Sequence, residues 1–144
     1  MISPILLVED NPMDVDLTKR ALRRHRLASE LVIARDGEEA VKMIEQWEHG
    51  ALVPSLILLD LKLPRLSGLE VLARLKGHAT FAAIPVVVLT TSRDDGDVKR
   101  AYQLGANSYI VKPVDFDKFV EVAAQIELYW TVLNEPPPQT LATG

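Results

Sequence analysis

The chain alternates five short apolar runs with segments whose apolar residues recur at helical spacing. The runs are rich in Val, Ile and Leu and are four or five residues long, which is typical of strands buried on both faces. They occupy residues 5–8, 31–34, 56–59, 85–89 and 108–111. The intervening segments show the helical pattern, as at Leu69, Leu72 and Leu75. The order predicts a strand followed by a helix throughout the chain.

This alternation restricts the fold class. Strands that are joined by helices run parallel, and their right-handed crossovers place helices on both faces of the sheet. We therefore predict an α/β fold with a single doubly wound five-stranded parallel sheet flanked by five helices, the last at residues 116–133. A length of 144 residues suits one domain. We place that domain at residues 1–134 and a proline-rich flexible tail at residues 135–144.

Composition excludes several classes of protein. The chain has 16 Lys and Arg against 20 Asp and Glu, a net charge of −4, which argues against binding along nucleic-acid phosphates. It has no cysteine for disulfides or thiolate metal sites. No apolar run approaches the roughly 20 residues that span a bilayer, and the first residues do not resemble a signal peptide. We expect a cytoplasmic protein that binds neither membrane nor nucleic acid.

Charged residues follow the predicted strands at the edge where doubly wound sheets bind ligands. Glu9 and Asp10 follow the first strand, Asp60 follows the third, and Lys112 follows the fifth. If the first and third strands are neighbours, three carboxylates repel one another unless a cation neutralises them. Mg²⁺ suits such oxygen ligands and commonly also binds phosphate. Each acid alone is better explained as a helix cap or a surface charge, but the combination of all three with Lys112 favours a site.

Two hydroxyl side chains, Thr90 and Thr91, follow the fourth apolar run. Successive side chains of a strand point to opposite faces, so only one of the two can reach the same pocket as the carboxylates. A threonine at this position is also common in strands without any functional role.

Five motifs, taken in order, resemble the receiver domain of two-component response regulators. They are VEDN at 8–11, LLDLKLP at 58–64, a glycine at 68, LTTS at 89–92 and YIVKP at 109–113. The resemblance covers residues 4–133, and GANSY at 105–109 with IELYW at 126–130 resembles the stand-alone response regulators of bacterial phytochromes. It implies the CheY-like, flavodoxin-like strand order 2-1-3-4-5, which places the first and third strands side by side.

The resemblance also implies the chemistry of the strand-end acids. Asp60 would accept a phosphoryl group from a phosphohistidine of a sensor histidine kinase, and the resemblance implies a bacteriophytochrome as that kinase. Asp60, Asp10 and Glu9 would hold Mg²⁺ together with the backbone carbonyl of Lys62. The lysine side chain at position 62 departs from the family pattern beside the phosphoacceptor.

Three further residues receive roles from the same resemblance. Lys112 would pair with a phosphoryl oxygen, and Thr90 would donate a hydrogen bond to another after Asp60 is modified. Tyr109 resembles the family's switch aromatic, which turns inward when the threonine moves. An ordinary half-buried strand tyrosine is the alternative interpretation.

The last predicted helix carries a second apolar row beside the stripe that would pack on the sheet. This row consists of Val122, Tyr129 and Val132, and it predicts a homodimer interface. Shielding of the row by the tail or by a neighbouring helix is the alternative.

Two other functions compete with the response-regulator hypothesis. An aspartate-nucleophile phosphatase also uses a strand-end aspartate with Mg²⁺, but it needs a second aspartate where this chain has Lys62. A pseudo-receiver binds partners without phosphorylation, yet such proteins usually lack site residues that are all present here. We therefore predict a signalling protein without enzymatic turnover, whose output occurs by association because no effector domain follows.

Overall fold

The computed structural model describes residues 4–24 and 30–112 of the chain. Its elements, in chain order, are β1 (Ile5–Val8), α1 (Pro12–Arg24), β2 (Leu31–Ala34), α2 (Gly37–Glu48), β3 (Leu56–Leu59), α3 (Gly68–Lys76), a 3₁₀ turn (Phe81–Ala83), β4 (Val86–Thr90), α4 (Asp95–Leu104) and β5 (Ser108–Val111). The described residues thus contain four α-helices, and the predicted fifth helix at 116–133 lies outside them. In this part of the chain, none of the helices has the length and apolarity to cross a membrane.

The five strands form one parallel sheet in the order β2-β1-β3-β4-β5. The predicted sheet and its strand order are therefore confirmed, and four strands have the predicted bounds. The prediction for β4 is wrong by one residue at each end, because the strand starts at Val86 and includes Thr90. Pro85 has no N–H to give to the ladder, although its carbonyl accepts from the Ile57 N–H at 3.0 Å.

Alternate residues of the central strands pack into two separate apolar clusters. On one face, Leu6 and Val8 of β1 lie in a cluster with residues of α2, α3 and α4, such as Trp47 and Leu72. On the other face, Ile5 and Leu7 of β1 pack with Val15 and Leu22 of α1. Every residue of β1, β3 and β4 is buried. The sheet is therefore the middle layer of the domain. Because helices cover both of its faces, a functional site is expected at the ends of the strands.

Side-chain caps fix the first turns of three helices that follow the carboxyl ends of strands. Asp36, Ser67 and Asp94 each cap a helix by accepting from the backbone N–H three residues further on. Helix α1 starts at Pro12, a residue suited to a first helical position. The first turns of α1, α3 and α4 consequently lie near the edge that carries the predicted site.

Two glycines allow the loop between β3 and α3 to pack closely against neighbouring backbone. A Cβ atom at Gly68 would lie 2.1 Å from the carbonyl oxygen of Asp60, and one at Gly37 would lie 2.0 Å from that of Leu66. The Gly68 N–H also donates to the Leu61 carbonyl at 3.0 Å. The loop after Asp60 is thus fixed at both ends by contacts that a side chain would prevent.

Candidate functional site

The sequence-predicted residues meet at the carboxyl edge of the sheet because the strand ladder continues one residue past each strand. The Asp60 N–H donates to the Val8 carbonyl at 3.0 Å, and the Lys112 N–H donates to the Thr90 carbonyl at 2.8 Å. Glu9 is held in the same way by Ala34 of β2, at 2.9 Å. These main-chain bonds fix the points from which the charged side chains extend.

Three carboxylates come together at this edge. One oxygen each of Glu9, Asp10 and Asp60 lies within 4.8 Å of the others. Glu9 and Asp60 are buried, whereas Asp10 is exposed. A hard divalent cation prefers such oxygen donors, so the set fits the predicted metal site. Lys62 donates its backbone N–H to Asp60 Oδ1 at 3.0 Å, while the predicted role of its carbonyl as a ligand stays a prediction.

Lys112 provides the positive charge of the cluster. Its Nζ lies 2.5 Å from Glu9 Oε1, 2.8 Å from Asp14 Oδ2 and 3.1 Å from Asp60 Oδ2. Burial on its own would lower the pKa of Lys112, but the hydrogen bonds to Asp14 and Glu9 and the charge of Asp60 raise it above its ordinary value. The ammonium group therefore stays charged at physiological pH.

Glu9 is a carboxylate whose ionised form is disfavoured by its surroundings. Burial raises the pKa of Glu9 to about 7, the hydrogen bond from Lys112 opposes that rise, and the negative charge of Asp60 adds to it. A cation bound between Glu9 and Asp60 would stabilise both in their charged forms. The electrostatics of the cluster therefore favour a divalent ion, as do its ligand atoms.

The two threonines at the end of β4 differ in the way that strand geometry requires. Thr90 is fully buried, whereas Thr91 is exposed. The Thr90 hydroxyl accepts weakly from the Ser92 N–H, at 3.4 Å, and keeps its own proton for another acceptor. Of the two, Thr90 is the residue placed inside the domain at the end of a central strand.

Tyr109 lies on the edge strand β5 and is half-buried against the core. Its hydroxyl donates to the Ser92 carbonyl at 3.0 Å, in the loop that follows Thr90. Burial raises the pKa of Tyr109, so the hydroxyl remains a donor. The contact links β5 to the loop after β4, and both interpretations of this tyrosine stay open.

Sequence reasoning missed Asp14, the third residue of α1. An acid in the first turn of a helix is common for reasons of local electrostatics, so nothing in its position alone indicated a partner. The signal that could have identified Asp14 is the short connection before it. Helix α1 starts four residues after β1 ends, so its first turn lies at the carboxyl edge of the sheet.

A second set of contacts missed from the sequence joins the two loops beside Asp60. Ser92 Oγ donates to Asp97 Oδ2 at 2.6 Å, and the Lys62 ammonium lies 3.8 Å from the same oxygen. The Lys62 side chain therefore points to the first turn of α4. The other predicted functional residues, Val122, Tyr129 and Val132, lie outside the described residues.

A parallel five-stranded sheet with acids, a lysine and a buried threonine at its carboxyl edge defines a class of α/β signalling domain. The sequence profile of the response regulator receiver domain matches residues 5–124. The chain belongs to this family, and the resemblance drawn from its motifs is confirmed. Members of the family are generally signalling proteins that are not enzymes.

Two relatives in sequence match nearly the whole chain. The "Probable methanogenesis regulatory protein FilR2" of Methanothrix harundinacea (strain 6Ac) is 41% identical over 134 residues, covering 92% of this chain and 86% of that protein. "Response regulator Rcp1" of Synechocystis sp. (strain ATCC 27184 / PCC 6803 / Kazusa) is 40% identical over 129 residues, covering 88% and 87%.

Solved structures of phytochrome response regulators share the fold. The phosphorylated cyanobacterial phytochrome response regulator RcpA gives a TM-score of 0.80 at 38% identity, covering 96% of this chain and 100% of that one. The Mn²⁺-bound form of Rcp1 gives 0.78 at 38% identity, covering 94% and 99%. The bacteriophytochrome response regulator RtBRR gives 0.79 at 43% identity, covering 99% and 90%.

Proposed function

We propose that this receiver accepts a phosphoryl group on Asp60 from a sensor histidine kinase of the phytochrome type, in a reaction that depends on Mg²⁺. The observation that carries the proposal is the position of the Asp60 carboxylate, which lies 3.1 Å from the Lys112 ammonium and within 4.8 Å of carboxylate oxygens of Glu9 and Asp10. A nucleophile, a cation and a metal-binding pair thus occupy one pocket.

The chemistry requires little beyond positioning and charge. An oxygen of Asp60 forms a bond to phosphorus while the bond from phosphorus to the kinase's histidine nitrogen breaks. The electron pair of that bond returns to the imidazole, which regains its neutral form by taking a proton from water. Lys112 attracts the phosphoryl oxygens, and the buried Thr90 hydroxyl donates to one of them. The chain that attacks the phosphorus atom is also the chain that keeps the phosphoryl group. It would therefore be modified once and would not turn over a substrate.

Glu9, Asp10 and Asp60 are the side chains that would hold Mg²⁺, with the Lys62 carbonyl as a further ligand. When bound, the ion supplies positive charge for the phosphoryl oxygens during transfer. The relative Rcp1 has a Mn²⁺-bound form, and this supports the proposal of a divalent ion at the acidic cluster of this chain.

The partner is proposed from the relatives. RcpA is described as a phosphorylated phytochrome response regulator, and RtBRR as a bacteriophytochrome response regulator. For this chain we therefore propose a sensor kinase of the phytochrome type as the partner. We expect the chain itself in the cytoplasm. We also retain the proposal of a homodimer through Val122, Tyr129 and Val132, which rests on the apolar row in the sequence.

The test of this function is direct phosphorylation of the purified chain. Incubation with acetyl phosphate and Mg²⁺ should add one phosphoryl group, seen by intact-mass spectrometry, and excess chelator should prevent it because the carboxylates then lack their cation. A phytochrome-type histidine kinase that has been labelled with phosphate should transfer the label. An unmodified chain with both donors would favour the pseudo-receiver, and steady release of phosphate from small esters would favour the phosphatase.

We further propose that Thr90 and Tyr109 transmit the modification. Thr90→Ala should still take up phosphate, yet the ring signals of Tyr109 should no longer shift in NMR spectra, because the hydroxyl that responds to the phosphoryl group is gone. Thr91→Ala is the matched control, since its side chain is exposed, and it should behave as wild type. Equal ring shifts in Thr90→Ala and wild type would show that the route is different.

A further inference from the structure

The Lys112 ammonium has no donor left for a new ligand. A lysine carries three N–H bonds, and here three carboxylates accept them, from Glu9, Asp14 and Asp60. A phosphoryl oxygen on Asp60 can therefore gain a hydrogen bond from Lys112 only if one of these carboxylates loses its own. Phosphorylation thus requires an exchange of partners at this lysine.

The three carboxylates differ in what that loss would cost. The exposed fraction of the side chain is 3% for Glu9, 7% for Asp60 and 28% for Asp14. Asp60 carries the phosphoryl group itself, which leaves Glu9 and Asp14 as the carboxylates that Lys112 could release. Glu9 is buried, and the loss of its lysine would leave only the proposed metal ion to compensate its charge, which is unfavourable. Water can reach Asp14 and replace the lost hydrogen bond. Asp14 is therefore the partner that Lys112 can leave at the lowest cost.

Asp14 also holds Lys112 firmly while no phosphoryl group is present. Its carboxylate accepts from Nζ at 2.8 Å, closer than Asp60 does, and joins residues that are 98 positions apart in the chain. Among the influences that raise the pKa of Lys112, the hydrogen bond to Asp14 is the largest. The Asp14 backbone is fixed in turn, since its carbonyl accepts from the Thr18 hydroxyl at 2.7 Å.

We propose that Asp14 is a positioning residue that competes with the phosphoryl group for Lys112. In the unmodified protein it keeps the ammonium group between α1 and Asp60, and it is the partner that Lys112 gives up when a phosphoryl group forms. The inference rests on the proposed function, because it concerns the affinity of the same site for a phosphoryl group. Asp14 therefore shifts the balance of the receiver towards its unmodified state.

The test measures the affinity for beryllofluoride, a stable mimic of the phosphoryl group, at saturating Mg²⁺. Asp14→Asn keeps the size of the side chain and removes its charge. The Lys112 ammonium should then leave residue 14 more easily and bind the phosphoryl mimic. We expect the dissociation constant, measured by NMR titration of backbone amides, to fall roughly threefold to tenfold. Asp14→Ser should give the same change, since it also removes the charge and suits the start of a helix.

Two controls separate this role from an effect on the helix. Asp16→Asn alters a neighbouring acid of α1 that pairs with Arg20 at the surface, and it should leave the affinity at the wild-type value. Asp14→Glu restores the charge and should return the affinity towards wild type. In the free Asp14→Asn protein, the ε-methylene signal of Lys112 should move towards its position in the wild-type complex, which a loss of helix stability alone would not cause.

Wild-type affinity in Asp14→Asn, or equal gains in Asp14→Asn and Asp16→Asn, would overturn the competition while leaving the proposed function intact. A wild-type chain that neither binds beryllofluoride nor takes up phosphate would overturn both proposals. Tighter binding in both neutral variants, reversed in Asp14→Glu, is the result that supports the inference.

Discussion

Replacing Asp60 with asparagine should reduce phosphoryl uptake to the background of the assay. The amide oxygen is a poor nucleophile, and the variant lacks the charge that attracts the metal ion. The fold should remain, because the side chain keeps its shape and can still accept from the Lys62 N–H, now 3.0 Å from Oδ1. Lys112 keeps Glu9 and Asp14 as partners. Intact-mass spectrometry after incubation with acetyl phosphate and Mg²⁺ measures the result.

Asp97→Asn provides a control at the same edge of the sheet. Asp97 accepts from Ser92 and faces the Lys62 ammonium, but it is not one of the three clustered carboxylates. The Asp97→Asn variant should keep most of the phosphoryl uptake of the wild type. Undiminished labelling of Asp60→Asn, or a loss restricted to Asp97→Asn, would place the phosphoacceptor elsewhere.

The second large effect is expected at Gly68, where alanine should destabilise the fold. In an open helix position, Gly→Ala stabilises by up to about 1 kcal/mol. Here the new Cβ would lie 2.1 Å from the Asp60 carbonyl oxygen and 2.6 Å from Leu61 Cα, and both are backbone atoms that cannot rotate away. We expect a loss of about 1–3 kcal/mol in the free energy of unfolding, measured by urea titration, and a displaced Asp60 that accepts phosphate more slowly.

Gly96→Ala is the matched substitution in the first turn of α4. Its nearest contact is the tip of the Asp94 side chain at 2.8 Å, and no backbone atom lies close. The loss in unfolding free energy should therefore be smaller than at Gly68, because only the capping oxygen of Asp94 has to move and no fixed backbone atom is in the way. Equal stability of the two variants would mean that the packing of α3 on the Asp60 backbone is looser than these distances indicate.

The sheet could be predicted from the sequence because strands that are buried on both faces leave an unbroken apolar run. The ends of β4 were harder to predict. Thr90 has a polar side chain, yet its backbone hydrogen bonds make it part of the strand. Its polarity suggested a loop. The burial of the residue and the bond from Lys112 to its carbonyl decide the matter, and neither is a local property of the sequence.

The site was predictable to the extent that each member follows a strand. Glu9, Asp60 and Lys112 meet as expected because parallel strands share one carboxyl edge. Asp14 follows no strand, and its approach to Lys112 depends on how α1 is set against the sheet. The Lys62 side chain is a similar case, since its nearest acid belongs to α4 and the distance depends on two loops.

The ion cluster around Lys112 also bears on the order in which the chain folds. Glu9 and Lys112 are 103 positions apart, so their contact requires that β1 and β5 both belong to the sheet. A partly folded chain without a docked β5 would hold Glu9, Asp14 and Asp60 near one another without the lysine that all three share. The mutual repulsion of the three carboxylates disfavours such an intermediate. The docking of β5 is stabilised because Lys112 then compensates their charges. The same charges that prepare the pocket for phosphate therefore make the completion of the sheet more cooperative.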